Sequence, residues 1–487
     1  MSQWLPLLIL ATSLVPALLT FFLDQDQHRL RNTLNLGGAL AKLGLVVYLL
    51  VDVAQGTFHE VRFDLLPGQF LLLRVDALAL LFLALSALLW LLTTIYAIAY
   101  FDRKPNLSRF FGFFGLCVFA TTGIALAGSL LTFFVFYELL TLSTWPLVVH
   151  KQNPESMAAG RTYLRYALPS STVLLLAILW LQNLAGPIEF TGGPDLAGQD
   201  PDTLRVIFVL FVIGLGMKAA VVPLHGWLPA AMAAPAPVSA LLHAVAVVKA
   251  GAFGFVRVIH DVFGIEQVTA LGLGMPLAVL ASITIIYGSL KALGQQGIKR
   301  RLAYSTVSQV SYILLGAALA GPFALIGGLA HLVHQGLMKI TLFFCAGIYD
   351  ERAGIRRIDQ LDGIGARMPW TSVCFSLGAL GMIGLPPMAG FVTKIYLGIG
   401  GLEVGAPWVI GVLGASTLLN AAYFLPLLYR IWFVESASGD RPGERPLGIV
   451  APAVLTGLAA IAVGLFAGSA VSPLAWASLI VERTYSP

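Results

Sequence analysis

Charge is scarce in this chain. Its 487 residues include 29 Lys and Arg and 24 Asp and Glu, 11% in all, against 58% hydrophobic residues. Soluble domains carry about 25% charged residues, and the mean hydropathy here is +0.86. A soluble globular fold is excluded, and an integral membrane protein is predicted. Cysteine is scarcer still: Cys117, Cys345 and Cys374 each stand alone in apolar segments. Without a Cys-x-x-Cys pair or Cys/His ligand spacing, neither an iron–sulfur cluster nor a zinc site is expected. No cofactor, metal, redox or hydrolytic centre is predicted. No base-reading motif or basic stripe with interleaved aromatics is present, which argues against nucleic acid as a partner. No basic region precedes the first apolar run, which therefore reads as an uncleaved span.

Long apolar runs are what the chain has in place of charge. They recur along its whole length, the pattern of spanning helices and not the weaker alternation of a β-barrel. The predicted fold is an all-α polytopic membrane protein with about fourteen spans of the length a bilayer needs. They lie near residues 4–22, 33–54, 75–99, 110–128, 130–149, 162–183, 205–222, 238–258, 268–290, 302–319, 323–348, 370–397, 405–432 and 448–468. Loops on one side hold Arg29, Arg31, Arg103, Lys104, Arg109, Lys151, Arg161, Lys299, Arg300, Arg301, Arg352, Arg356, Arg357, Arg367, Arg441 and Arg445. The opposite loops offer little beyond Arg62, Arg74, Arg205 and Arg483. The positive-inside rule makes the first side cytoplasmic and leaves both termini outside. The net charge of +5 then reflects topology, not an acidic partner. The stretch 186–203 is rich in Gly, Pro and Asp and lacks Lys and Arg, as an external loop should. Segment 349–368 carries both signs and suits a short amphipathic cytoplasmic piece.

Against that background a few charges stand out. Glu138 lies in LLTFFVFYELLTLSTWPLVV (130–149), and Lys218, Lys249, Lys339 and Lys394 lie in comparably apolar runs. A charge at the bilayer centre costs roughly 3 to more than 10 kcal/mol and persists when paired, hydrated or functional. A buried carboxylate beside a buried lysine lets both stay charged, so a Glu138–Lys218 ion pair is expected. His331, Gln335 and Lys339 recur every four residues on one helix face, with His334 one turn from His331. Histidine can relay protons through water near neutral pH. His243 precedes Lys249 by six residues, so contact between them requires a distorted helix or water. Lys42 is a lone lysine in the second span and reads as structural. Tyr304, Ser305, Thr306, Ser308 and Gln309 add hydroxyls and an amide near the cytoplasmic side, groups that also commonly tie helices together.

Two spans contain breakers. VVPLHGWLPAAMAAPAP follows Lys218 with Pro223, Pro229, Pro235 and Pro237, and LGALGMIGLPPMAGFVTKIYLG holds Pro386 and Pro387. Proline removes a backbone donor and clashes with the preceding turn, so spans 7 and 12 should break. Broken backbone at membrane depth survives where protein or a water-filled cavity surrounds it. Paired breaks in corresponding positions suggest two inverted five-helix repeats, spans 4–8 and 9–13.

The segments themselves resemble a known family. KAAVVPLHGWLPAAMAAPAPVSALLHAVAVVKAGAFGFVR (218–257) closely resembles the signature of antiporter-like subunits of respiratory complex I and of multi-subunit Mrp-type sodium/proton antiporters. FFVFYELLTLSTWPLV, KRRLAYSTVSQVSYILLG, HLVHQGLMKITLFFCAG and IGLPPMAGFVTKIYL resemble further landmarks in the same order, from about Asp76 to Arg430. The resemblance implies fourteen helices, the two inverted repeats and a central hydrophilic axis. It gives regions of 1–108, 109–260, 261–434 and 435–487. By motif match, it assigns a proton or ion pathway to Glu138, Lys218, Lys249, His331, Lys339 and Lys394; His243 and His334 complete the expected set. The sequence departs from the family pattern in having His331-x-x-His334-Gln335 instead of His-x-x-x-His, and Arg165 in place of a lysine. Length and Lys249 resemble the D-type antiporter subunit, whereas His243 resembles the A-type or the largest complex I subunit.

The expected function is that of a proton-translocating membrane subunit, most like the D subunit of an Mrp-type cation/proton antiporter. The implied setting is a prokaryotic plasma membrane, with other membrane subunits as partners and protons, with Na+ or another monovalent cation, as cargo. Alternative settings are a redox-driven complex (complex I, a membrane-bound hydrogenase or a formate-hydrogen-lyase-like assembly) and an energy-coupled inorganic-carbon uptake system.

Overall fold

The computed structural model describes residues 4–66, 68–102, 104–190, 196, 198–435, 443–444 and 447–485. Arg103, Arg441 and Arg445, named above for topology, and part of the 186–203 loop lie outside the described residues. The chain is mostly helical. Its first seven helices are α1 (Leu5–Phe21), α2 (His28–Ala54), α3 (Ala77–Phe101), α4 (Leu107–Leu126), α5 (Leu130–Val148), α6 (Pro154–Ala185) and α7 (Pro201–Lys218). The middle of the chain forms α8 (Trp227–Ala230), α9 (Ala236–Ala244), α10 (Val247–Arg257), α11 (Ile265–Ala270), α12 (Gly274–Leu293), α13 (Ile298–Ala318) and α14 (Pro322–Ala353). The remainder forms α15 (Ile364–Arg367), α16 (Pro369–Ile383), α17 (Ala389–Glu403), α18 (Trp408–Phe433), α19 (Leu447–Leu465) and α20 (Pro473–Tyr485).

Local chemistry explains several of the boundaries. Asp76 caps α3 by accepting from Ala79 N at 2.7 Å, and Asp200 caps α7 through Thr203 N at 2.8 Å. Asn153 and Ser156 form a reciprocal capping box at the start of α6, with Pro154 at the first helical position. Each cap satisfies amide donors that a helix start leaves free. Among the described residues, ten helical segments are long and apolar enough to cross a membrane.

Burial divides these helices into a centre and a rim. The most apolar 18-residue window is 100% buried in the 236–263 segment and 94% buried in α14, but 28% in α2 and 33% in α18. The rim presents Leu40, Val47, Val51, Leu176 and Leu418 outward, the apolar surface that a lipid-facing helix needs. Between rim and centre the helices pack backbone to backbone. A Cβ on Gly316 of α13 would stand 2.5 Å from the Ala324 carbonyl of α14, the small-residue contact typical of membrane bundles.

Three features differ from the sequence reading. A hairpin of two antiparallel strands, β1 (His59–Leu66) and β2 (Gln69–Val75), joins α2 to α3; it is anchored where Leu72 N donates to Thr132 Oγ1 at 2.8 Å. A further helix, α20, follows α19, and its Trp476 indole donates to the Ala77 carbonyl at 2.8 Å. The eighth predicted span is not one helix but α9 and α10 with a kink at Val245 and Ala246.

Candidate functional site

The predicted breaks occur where proline was expected to cause them. Helix α7 ends at Lys218 and is followed by turns to Gly226. Helix α16 ends at Ile383, and α17 resumes at Ala389. A helix end frees up to four backbone carbonyls and carries partial negative charge, which makes it a natural seat for a cation. Lys394 uses the second break in that way. Its ammonium donates to the Ile383 carbonyl at 2.6 Å and to Thr417 Oγ1 at 2.7 Å. Gly384 serves two needs there. Its φ of 85° lies in the left-handed region, and a Cβ would come within 3.0 Å of Lys394 Nζ.

At the first break Lys218 is buried. Its ammonium donates to the Tyr137 carbonyl of α5 and lies 3.3 Å from the Tyr137 ring centre. The adjacent Glu138 is half-buried and accepts a hydrogen bond from the Ser171 hydroxyl of α6. The expected Glu138–Lys218 pair is therefore not closed: no ion pair within 4.0 Å joins them among the described residues. The physical reason is competition. A backbone carbonyl and an aromatic face already hold the lysine, while a hydroxyl from the neighbouring helix holds the carboxylate.

From Lys218 the polar groups continue inward. Gly251 lets α10 approach so closely that a Cβ there would stand 2.3 Å from Ala219 N and 2.8 Å from the Lys218 carbonyl carbon. Two residues before Gly251 stands Lys249, fully buried, its ammonium without a hydrogen-bond partner among the described residues. The kink before it displaces His243 from an ordinary helical relation to Lys249. His243 packs on Phe343 of α14 with ring centres 4.5 Å apart, and neither ring nitrogen has a protein partner among the described residues. The end of α9 then meets α14: a Cβ on Gly336 would stand 3.1 Å from the Ala244 carbonyl.

Helix α14 carries the rest. Lys339 donates to Ser305 Oγ at 2.7 Å and to the Leu302 carbonyl at 3.2 Å. Ser305 also accepts from Tyr423, whose hydroxyl lies 2.5 Å from Asn420 Oδ1. His334 and Gln335 are buried; the His334 ring meets the backbone of Ala389, and the Gln335 amide has no protein partner among the described residues. His331 Nδ1 lies 3.1 Å from Thr393 Oγ1, next in sequence to Lys394. Tyr312 bridges them, stacking on His331 at 5.0 Å and lying 5.9 Å from Lys394 Nζ.

All eight predicted residues are thus linked through a run of packed elements from α5 to α17. Sequence reasoning did not single out Tyr137, Ser171, Tyr312, Thr393, Thr417 or Tyr423. Their signal is tertiary, because hydroxyls are common in apolar helices and a backbone acceptor leaves no trace in sequence. Among the described residues no three His, Cys, Asp or Glu side chains are grouped as metal ligands.

Comparison with known proteins identifies the fold and the family. The chain is 34% identical over 413 residues to NADH-quinone oxidoreductase subunit N of Desulforudis audaxviator, covering 80% of this chain and 81% of that protein. It is 29% identical over 495 residues to the probable K(+)/H(+) antiporter A/B subunit of Rhizobium meliloti, covering 97% of this chain but 48% of that protein. The fold matches a chain of the Mrp complex from Dietzia sp. DQ12-45-1b with TM-score 0.86 and 24% identity, over 100% of this chain and 98% of that one. It also matches a chain of respiratory complex I from Thermus thermophilus with TM-score 0.81 and 24% identity, over 98% and 99%. The family model described as NADH:quinone oxidoreductase/Mrp antiporter, TM, matches residues 127–420, a segment running from just before α5 into α18. The chain belongs to that family of antiporter-like membrane subunits.

Proposed function

We propose that this chain moves protons across a membrane as one subunit of a multi-subunit complex, most like the D subunit of an Mrp-type cation/proton antiporter. The observation that carries this reading is the placement of His243, Lys249 and Gln335. They lie on the most buried helices of the molecule, yet their side chains have no protein partner among the described residues. Buried polar groups are otherwise almost always satisfied, by protein or by ordered water. Groups left unpaired at membrane depth are where water has to enter, and a hydrated file of lysines and histidines carries protons.

In this reading the chain spans the membrane fourteen times with both termini outside. Residues 109–260 and 261–434 are inverted repeats, flanked by an N-terminal region of 1–108 and a C-terminal one of 435–487. Glu138 and Lys218 form the switch at one end of the file and Lys394 the terminus at the other. Lys218 holds the Tyr137 carbonyl in the open state. A rotamer change would carry its ammonium to the adjacent Glu138 carboxylate, removing positive charge from the neighbourhood of Lys249 and easing proton uptake there. Ser171 holds the carboxylate when the pair is open.

A second reading, a proton-pumping subunit of a redox-driven complex, is favoured by one observation. The match to subunit N covers 81% of that relative, whereas the match to the A/B antiporter subunit covers 48%. The proteins that co-purify with this chain separate the two. Small antiporter subunits support the first, and iron–sulfur or hydrogenase-like subunits the second. The shared claim is tested by Glu138→Gln in the whole complex reconstituted in vesicles. The swap is nearly isosteric, so assembly is expected to persist while proton flux is lost; wild-type flux in that variant refutes the pathway.

A further inference from the structure

A second buried polar file lies on α2, outside the segment matched by the family model. The buried face of this helix comprises Arg31, Asn35, Gly38, Ala39, Lys42, Val46, Leu49 and Val53. Steps of three and four residues keep these positions on one face. Polar residues occupy the half nearest the start of α2 and stop at Lys42, beyond which the face is wholly apolar. At 1.5 Å per residue Lys42 stands about 21 Å from His28, roughly midway along the 27-residue helix.

The file opens to the surface. A pocket of about 600 Å³ lies where α2 begins, and His28, Arg31, Asp26 and Asp102 are among its lining residues. From there Arg31 Nη2 donates to His28 Nδ1 at 2.6 Å, and Arg31 Nη1 to Ser108 Oγ at 3.3 Å. Asn35 donates to the Arg31 carbonyl at 2.9 Å and to Thr20 Oγ1 at 3.3 Å. At Gly38 a Cβ would strike the Thr12 carbonyl at 2.4 Å, so α1 packs directly on α2 at the step to Lys42.

Lys42 is fully buried. Its ammonium donates to Ser13 Oγ of α1 at 3.0 Å and to Thr122 Oγ1 of α4 at 2.6 Å, and it lies 4.9 Å from the Trp90 ring centre of α3. None of these facing groups is ionisable near neutral pH. The charged and titratable neighbours on its own helix face are Arg31 and His28, and no carboxylate forms an ion pair with Lys42 among the described residues. No carboxylate offsets the cost of burying this charge, and an amide would tie the same helices at less cost. Hydroxyls have one property a carboxylate lacks: they accept from an ammonium and donate to an amine. Ser13 and Thr122 now turn their protons to the Leu10 and Val118 carbonyls at 3.2 and 2.7 Å. Reversing one of them accommodates the neutral lysine without moving a helix.

We infer that Lys42 is a second proton-binding site of this chain, loaded along the buried face of α2 from the end where that helix begins. The inference rests on the proton-translocating reading. In loading, the neutral amine takes a proton delivered through the file and becomes the ammonium; release returns it.

The test uses the whole complex in proteoliposomes, with proton flux measured across pH and assembly checked by co-purification and melting temperature. Lys42→Met removes the site. Lys42→Arg keeps the charge but releases no proton. Both are expected to lower flux at least tenfold and to flatten its pH profile. Wild-type flux in both, or loss in Lys42→Met with full flux in Lys42→Arg, overturns the inference in favour of packing or a fixed charge. Asn35→Leu interrupts the file without touching Lys42 and guards against variants that fail to assemble. Several-fold slower flux supports the inference, and unchanged flux overturns it. Glu138→Gln run in parallel separates the two readings. Full flux there removes the central pathway, whereas lost flux there with normal Lys42 and Asn35 variants removes only this second site.

Discussion

Lys249 and Lys339 are both fully buried, yet their surroundings have little in common. Lys339 on α14 is held by a serine hydroxyl and a backbone carbonyl, with Tyr423 and Asn420 behind that serine. Lys249, on α10 beside the kink, has no protein partner among the described residues, and neither have the side chains of His243 and Gln335. The difference separates two kinds of buried charge. A lysine resting on a backbone carbonyl, which can only accept, is held as an ammonium and helps shape the helices around it. One without them depends on water, so it can exchange a proton cheaply but adds nothing to the fold. The flanking lysines, Lys218 and Lys394, resemble Lys339, because each rests on a backbone carbonyl. The unpartnered group lies between partnered ends, an order suited to a file whose middle is fluid.

Stability measurements can break this comparison. Lys339→Met forfeits two hydrogen bonds from a charged donor and is expected to cost about 1–3 kcal/mol, read as a lower melting temperature of the purified complex. Lys249→Met forfeits none and replaces a buried ammonium with an apolar side chain of similar length, so the melting temperature should hold or rise. Equal losses in both variants would erase the distinction. A smaller effect sharpens it at the far end. Gly384→Ala forces a Cβ into the left-handed region and against Lys394, at about 1 kcal/mol. It should also slow proton flux several-fold by displacing Lys394 from the Ile383 carbonyl. Flux unchanged alongside a lowered melting temperature would show that the seat of Lys394 does not matter for transport.

Much of this arrangement is legible in the amino-acid sequence. Apolar runs locate the helices because a span must satisfy its backbone internally and cover itself with hydrocarbon. The breaks after Lys218 and at Pro386–Pro387 follow from proline chemistry. The kink at Val245–Ala246 is not legible as a break, since neither residue is Pro or Gly; only the six-residue spacing from His243 to Lys249 hints at distortion. Helix α20 gives no span-like signal because its buried Leu474, Ala477, Ile480 and Val481 form an amphipathic stripe instead of an apolar run. The hairpin does carry a signal, the Pro-Gly pair at 67–68 between two runs rich in Leu and Phe. The unclosed Glu138–Lys218 pair lies beyond sequence reasoning altogether. Charge complementarity predicts the pair, and only the position of the Tyr137 carbonyl and the Ser171 hydroxyl shows what holds each partner instead.

The central claim is that unpartnered groups in the middle of the file carry protons, and Lys249 tests it most directly. Proton flux should be measured in vesicles containing the whole complex with Lys249→Met, after confirming assembly and a melting temperature no lower than wild type. The account predicts flux at the level of protein-free vesicles. Wild-type flux from that complex would contradict it.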